Sequence, residues 1–214
     1  MNNKRSRHRF LITVICAGLS AGCELPGRTP TAEPRAWLLQ ATGNGDADVS
    51  GEWPCVSLRV TAAQSAPGFH TSRMLYMDEP HRLDHFAYHT WADIPAAMIA
   101  ELVQQHLTRL GLFGTVLAGT HDVRAHYRLD LKSARLLQHF ENGVSRVSFD
   151  IDVALVNQAE RSLVAAQAFS YSQDTDSADP QGGVNAANAI AGRFLTDIVQ
   201  FAAGAIDPVD CAPE

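Results

Sequence analysis

Hydrophobic and polar positions alternate along several stretches of this chain, and two others repeat with helical spacing. Val56, Leu58 and Val60 alternate with Ser57, Arg59 and Thr61, which predicts a strand with one buried face. Met74 to Met77 reads as a second strand, closed by Asp78-Glu79-Pro80. Ile99, Leu102, Val103, Leu107 and Leu110 form an i, i+3, i+4 stripe, so residues 94–110 are predicted helical. Asp93 is placed to cap that helix, Pro95 fits its first turn, and Gly111 suits a left-handed terminus. Tyr127, Leu129 and Leu131 alternate with Arg128, Asp130 and Lys132; Val147, Phe149, Ile151, Val153 and Leu155 repeat the pattern. Asn157-Gln158-Ala159-Glu160 turns the chain, and Leu163 to Tyr171 returns. After a loop from Gln173 to Gly183, a second helix carries Val184, Ala187, Ala191, Phe194, Ile198 and Phe201 on one face. The expected fold is α+β: a mainly antiparallel sheet with two helices packed on one face, in a single domain over residues 36–214.

The N-terminus follows different rules. Met1 to Arg9 is polar and basic, and residues 10–19 form a short, mostly apolar run. A bilayer-spanning helix needs about 20 apolar residues, so this run reads as a secretory signal over residues 1–22. Leu19-Ser20-Ala21-Gly22-Cys23 resembles the bacterial lipobox, with Ser20 where an aliphatic residue is commoner. That resemblance implies an acylated, palmitate-bearing Cys23 as the mature N-terminus, which holds the domain at a membrane without spanning it. Glu24 follows where Asp would favour inner-membrane retention, which points to the outer membrane, periplasmic side. With Cys23, residues 23–35 form the anchor and tether; Pro26, Pro30 and Pro34 keep the twelve residues 24–35 extended, reaching at most about 37 Å.

Charge and cysteines narrow the partners. After residue 22 the chain holds thirteen basic and 23 acidic residues, and Lys132 is its only lysine there. So acidic a domain lacks the basic footprint of a nucleic-acid binder. Cys55 and Cys211 remain once the signal and the lipobox cysteine are set aside, and an exported context favours a disulfide between them.

The search for chemistry yields one tempting cluster. His81-Arg82-Leu83-Asp84-His85, with His89 beyond, approximates the inverted zinc-protease spacing, but Asp84 stands where that chemistry needs Glu. On a strand, His81, His85 and His89 cannot converge on one ion without other strands. His121 and His126 are weaker candidates. Asp174, Asp176 and Asp179 lack the EF-hand pattern, and Gly143-Val144-Ser145-Arg146-Val147 misses the last Gly of a nucleophile elbow. No catalytic group, cofactor or metal site is expected.

Several segments in order resemble the ABC-type transport auxiliary lipoproteins, the group that includes PqiC-like proteins and the accessory lipoproteins of MCE-type lipid transporters. They are Val56-Ser57-Leu58-Arg59-Val60, Pro67-Gly68-Phe69, Arg73-Met74-Leu75-Tyr76, Phe86 leading to Trp91-Ala92-Asp93, Tyr127-Arg128-Leu129 and Gly182-Gly183-Val184. The resemblance runs from about Trp37 to Ala203 and implies a non-enzymatic envelope protein. Its implied partners are an MCE-domain protein and an ABC permease and ATPase that move lipids or other hydrophobic molecules. Tyr76 and Trp91 are the candidate partner-binding residues, and homo-oligomerisation is left open. The competing readings are an envelope-assembly lipoprotein and a metal-dependent hydrolase using the His81–His89 cluster.

Overall fold

The computed structural model describes residues 33–42, 51–119 and 123–206. The elements run β1 (Arg35–Trp37), β2 (Trp53–Val60), β3 (Arg73–Glu79), β4 (Arg82–Trp91), α1 (Pro95–Leu110), β5 (Phe113–Ala118), β6 (Tyr127–Glu141), β7 (Val144–Asn157), β8 (Ser162–Asp174) and α2 (Pro180–Ala205). Eight strands form one curled sheet in the order β1-β4-β3-β6-β2-β5, with β7 on the other edge of β6 and β8 beyond it.

β6 organises the whole domain. One edge pairs antiparallel with β7 from Tyr127 to Glu141. The other edge takes β2 at Tyr127 to Leu129 and β3 at Gln138 and His139, both parallel. Between those contacts the chain after β2 stays alongside, bonding at Thr61, Gln64 and Ala66. The sheet is therefore mixed rather than mainly antiparallel, with parallel pairs β1–β4, β2–β5, β2–β6 and β3–β6. Alternation shows that one face is buried, and helices cover only one face here. Parallel strands thus alternate as antiparallel ones usually do.

A bulge in β6 explains why its alternation fades after Lys132. Lys132 faces Asp152 and Arg135 faces Asp150, so Ser133 and Ala134 oppose one residue of β7, and Ser133 takes a left-handed φ of 56°. Core positions switch from Tyr127, Leu129 and Leu131 to Ala134 and Leu136 across it. Asn142 and Gly143, at φ 51° and 79°, then close the β6–β7 hairpin.

The two helices cover the same face. α1 buries Ile99, Val103 and Leu107, as the stripe requires, and Gly111 ends it at φ 67°. Asp93 does not cap it; Ile94 is the N-cap residue, and the Asp93 carboxylate only accepts its neighbour's N–H at 2.6 Å. α2 begins at Pro180, inside the stretch expected to be loop, because the Asp179 carboxylate caps it through Gly182 N–H at 2.8 Å. Its Phe194 is fully buried among Phe149, Phe169 and Tyr171, with centroids 5.5, 5.6 and 6.2 Å away. The Tyr171 hydroxyl donates to Asp197 at 2.6 Å. Burial, reinforced by that carboxylate, pushes the phenol above its usual range.

Candidate functional site

Past the N-terminal end of α2, the helix-bearing face of the sheet continues as a surface of half-buried rings. Tyr76 on β3 stands level with Gln138 of β6, two residues before Phe140. The Tyr76 ring lies 4.7 Å from Phe86 of β4 and 5.7 Å from Phe140, and Phe86 and Phe140 meet at 6.2 Å. His89 extends the group 6.3 Å from Phe86 and stacks on Trp37 at 6.0 Å. Trp37 Nε1–H donates to His89 Nδ1 at 3.1 Å, which assigns the neutral ring's proton to Nε2.

A polar hinge fixes this surface against α2. Gln138 Nε2–H donates to Ser145 Oγ at 2.8 Å and to the Asp179 carbonyl at 3.1 Å. A Cβ at Gly183 would run into the Gln138 carboxamide, which would have to move aside. Gly182 likewise lies against Ser177. These contacts give a physical reason for Gly182-Gly183-Val184 at the helix entry. The Gly182 N–H, then the Ser177 hydroxyl, hold the Asp179 carboxyl below its usual range, and His89 adds to the effect. Rings and amides arranged in this way can bind an apolar partner segment.

The candidates from the sequence fare differently. Tyr76 is central to the aromatic surface. Trp91 is 5% exposed and packs in the core. His81 occupies the β3–β4 turn at φ 67°, His85 is exposed on β4, and His89 is engaged by Trp37. Among the described residues no group of three or more His, Cys, Asp or Glu could hold a metal ion. Asp174 pairs with Arg146 at 2.7 Å and Asp176 accepts from Asn185 at 2.9 Å. Cys55 lies on an exposed position of β2, while Cys23, His121 and Cys211 fall outside the described residues.

Sequence reasoning missed Phe86, Phe140, His89 and Trp37 as one group. It also missed a clasp between Ser57 and His126. Ser57 N–H donates to His126 Nδ1 at 2.9 Å, His126 N–H donates to Ser57 Oγ at 3.0 Å, and Oγ lies 2.8 Å from Nδ1. Nothing in their spacing signalled either set. The β2–β6 register brings the clasp together, and the β1–β4, β3–β4 and β3–β6 registers bring the rings together.

The chain belongs to the family described as ABC-type transport auxiliary lipoprotein component, whose model matches residues 39–199. No curated protein matches it. Among solved structures, it is similar to a Xanthomonas campestris protein of the DUF330 family, with TM-score 0.67 and 18% identity, covering 79% of this chain and 96% of that one. A second crystal structure aligns with TM-score 0.58 and 11% identity over 79% and 99% of the two chains. A PelC dodecamer from Paraburkholderia phytofirmans reaches TM-score 0.42 at 12% identity, over 70% and 93%.

Proposed function

We propose that this chain is the lipid-anchored, non-catalytic accessory component of an MCE-type ABC system moving lipids or similar hydrophobic molecules across the envelope. The carrying observation is the match of residues 39–199 to the auxiliary lipoprotein family. In this reading Cys23 bears the acyl chains and holds the domain at the outer membrane, facing the periplasm. Two or more chains would make that attachment stable. Cys55 and Cys211 form a disulfide. The Tyr76–Phe86–Phe140 surface docks an apolar segment of the MCE-domain partner, because half-buried aromatics supply large contact area at low entropic cost.

The test is site-specific crosslinking in cells that also express the MCE-domain protein, permease and ATPase. A photoreactive residue at Tyr76 should yield an adduct with the MCE-domain protein, and one at exposed Val123 should not. Cys23→Ala should release the protein from membranes and abolish the Tyr76 adduct. Equal adducts from both positions, or membrane retention of the Cys23→Ala protein, would sink this reading.

A further inference from the structure

On the helix-free face, at the opposite end of β6, positive charge gathers in a domain that is acidic overall. A concavity of about 640 Å³ opens between the start of β6 and the β7–β8 turn. Its walls include Arg124, Arg128 and Arg161 with His126. That volume is in the range of small-ligand pockets. Arg59 stands level with Arg128 across the β2–β6 pairing, and its buried Nε–H has no partner among the described residues. Three of the eleven basic residues between positions 36 and 214 thus line the concavity, and a fourth, Arg59, adjoins Arg128. Among the described residues, two acids are nearby. Asp130 grips Arg128, and Glu160, in the turn, accepts from Ser162 at 3.1 Å.

The groups are oriented as donors. Asp130, 8% exposed, takes Arg128 Nε and Nη2 at 2.8 and 2.9 Å, fixing the plane of that guanidinium. The Ser57 clasp makes His126 Nδ1 an acceptor, so the ring's free donor is Nε2–H. Gln158 N–H donates to the His126 carbonyl at 2.9 Å and locks the turn against the loop. Arg161 holds φ 57°, a conformation costly for a residue with a Cβ, where glycine would fit without strain. Like charges brought together cost energy unless an anion joins them. One carboxylate is satisfied by a single guanidinium fork, whereas the three or four oxygens of a phosphate can engage several.

We propose that the Arg124–Arg128–Arg161 concavity binds the phosphate group of a phosphate ester, with His126 Nε2–H as a further donor. Val156 and the 63%-exposed Leu163, paired across β7 and β8, flank the site and suit an ester with an apolar substituent. The ester could be free or the headgroup of a lipid, and one experiment separates the two. The site does not depend on the partner assigned to the aromatic surface.

The experiment is titration of the mature protein in neutral detergent micelles, followed calorimetrically. One arm adds glycerol 3-phosphate, a second dopes the micelles with phosphatidic acid, and a third adds acetate. Saturable binding of either phosphate probe, tighter than acetate and weakened at least about tenfold by Arg161→Ser or Arg124→Ser, supports the site. Binding of glycerol 3-phosphate alone identifies a free ester, and binding of phosphatidic acid alone a headgroup. Arg124→Lys should retain part of the affinity, and circular dichroism of each variant reports its folding. Absence of saturable binding in both phosphate arms, equal affinity for acetate, or affinity unchanged in the folded Ser variants overturns the proposal.

Discussion

The two ends of β6 follow opposite physical rules. Arg128 and Phe140 lie twelve residues apart on the same strand, about 40 Å at strand rise. At the Phe140 end, rings pack on rings, and the surface is an extension of the core that stops short of complete burial. At the Arg128 end, side chains repel one another and are held in place by Asp130 and by the Ser57–His126 clasp. Residues at the first end should therefore contribute to folding as well as to recognition. Those at the second should contribute little to folding, or oppose it.

The largest expected effect sets the scale for that contrast. Phe194→Ala, deep in the core, should cost roughly 3–5 kcal/mol by denaturant unfolding. Tyr76→Ala should cost about 1–2 kcal/mol, since its ring is only half-buried. If the two cost the same, the aromatic end is simply core and the comparison fails.

Gly183→Ala should cost about 1–3 kcal/mol by forcing the Gln138 carboxamide aside. Gly204→Ala, whose new Cβ would meet open space on the same helix, should instead gain about 0.5–1 kcal/mol. A harmless Gly183→Ala would remove the hinge between α2 and the aromatic end.

Next comes the cap. Asp179→Ala should cost about 1 kcal/mol near neutral pH. The Asp179 carboxyl titrates below its ordinary range when folded, so the unfolded chain takes up its proton first. Its contribution is full above the ordinary carboxylate range and disappears as pH falls through the depressed folded value. Acid titrations of the two proteins should converge there; a constant gap at every pH would contradict the cap.

The smallest effect is the sharpest test of the arginine end. Arg161→Gly should raise stability by about 0.5 kcal/mol by relieving the left-handed backbone, while removing one donor from the concavity. A clear loss of stability, measured by thermal unfolding, would mean that Arg161 serves the fold.

Much of the framework was legible in the sequence because burial imposes periodicity. The α1 stripe and the Phe149–Leu155 alternation correspond directly to buried faces. Strand direction was not legible, since a parallel strand covered on one face alternates like an antiparallel one. The bulge at Ser133 hid the second half of β6 by switching the parity of its core positions. Asn142-Gly143 was a readable hairpin signal there. Tyr76 was legible as part of a family resemblance. Arg124, Arg128 and Arg161 were not, because no local spacing links them and only the pairing of Arg128 with Val156 brings the turn beside the strand. The buried polar role of Gln138 was equally invisible without α2 in place.

The short strand β1 acquires a mechanical meaning if the chain before it is tethered. Tension arriving at Glu33 runs along β1, where Arg35–Trp37 pair with His89–Trp91 and the Trp37 carbonyl accepts from Ala92 N–H at 2.7 Å. Parallel pairing loads those bonds together in shear, with the Trp37–His89 bond as a rivet. Behind them, Gln40 and Thr42 are clamped to Asn188 of α2 at 2.9 and 3.2 Å. A pull that broke the first grip would next meet the second. It would lift Trp37 from His89 and open that side of the aromatic surface while the other seven strands stayed paired.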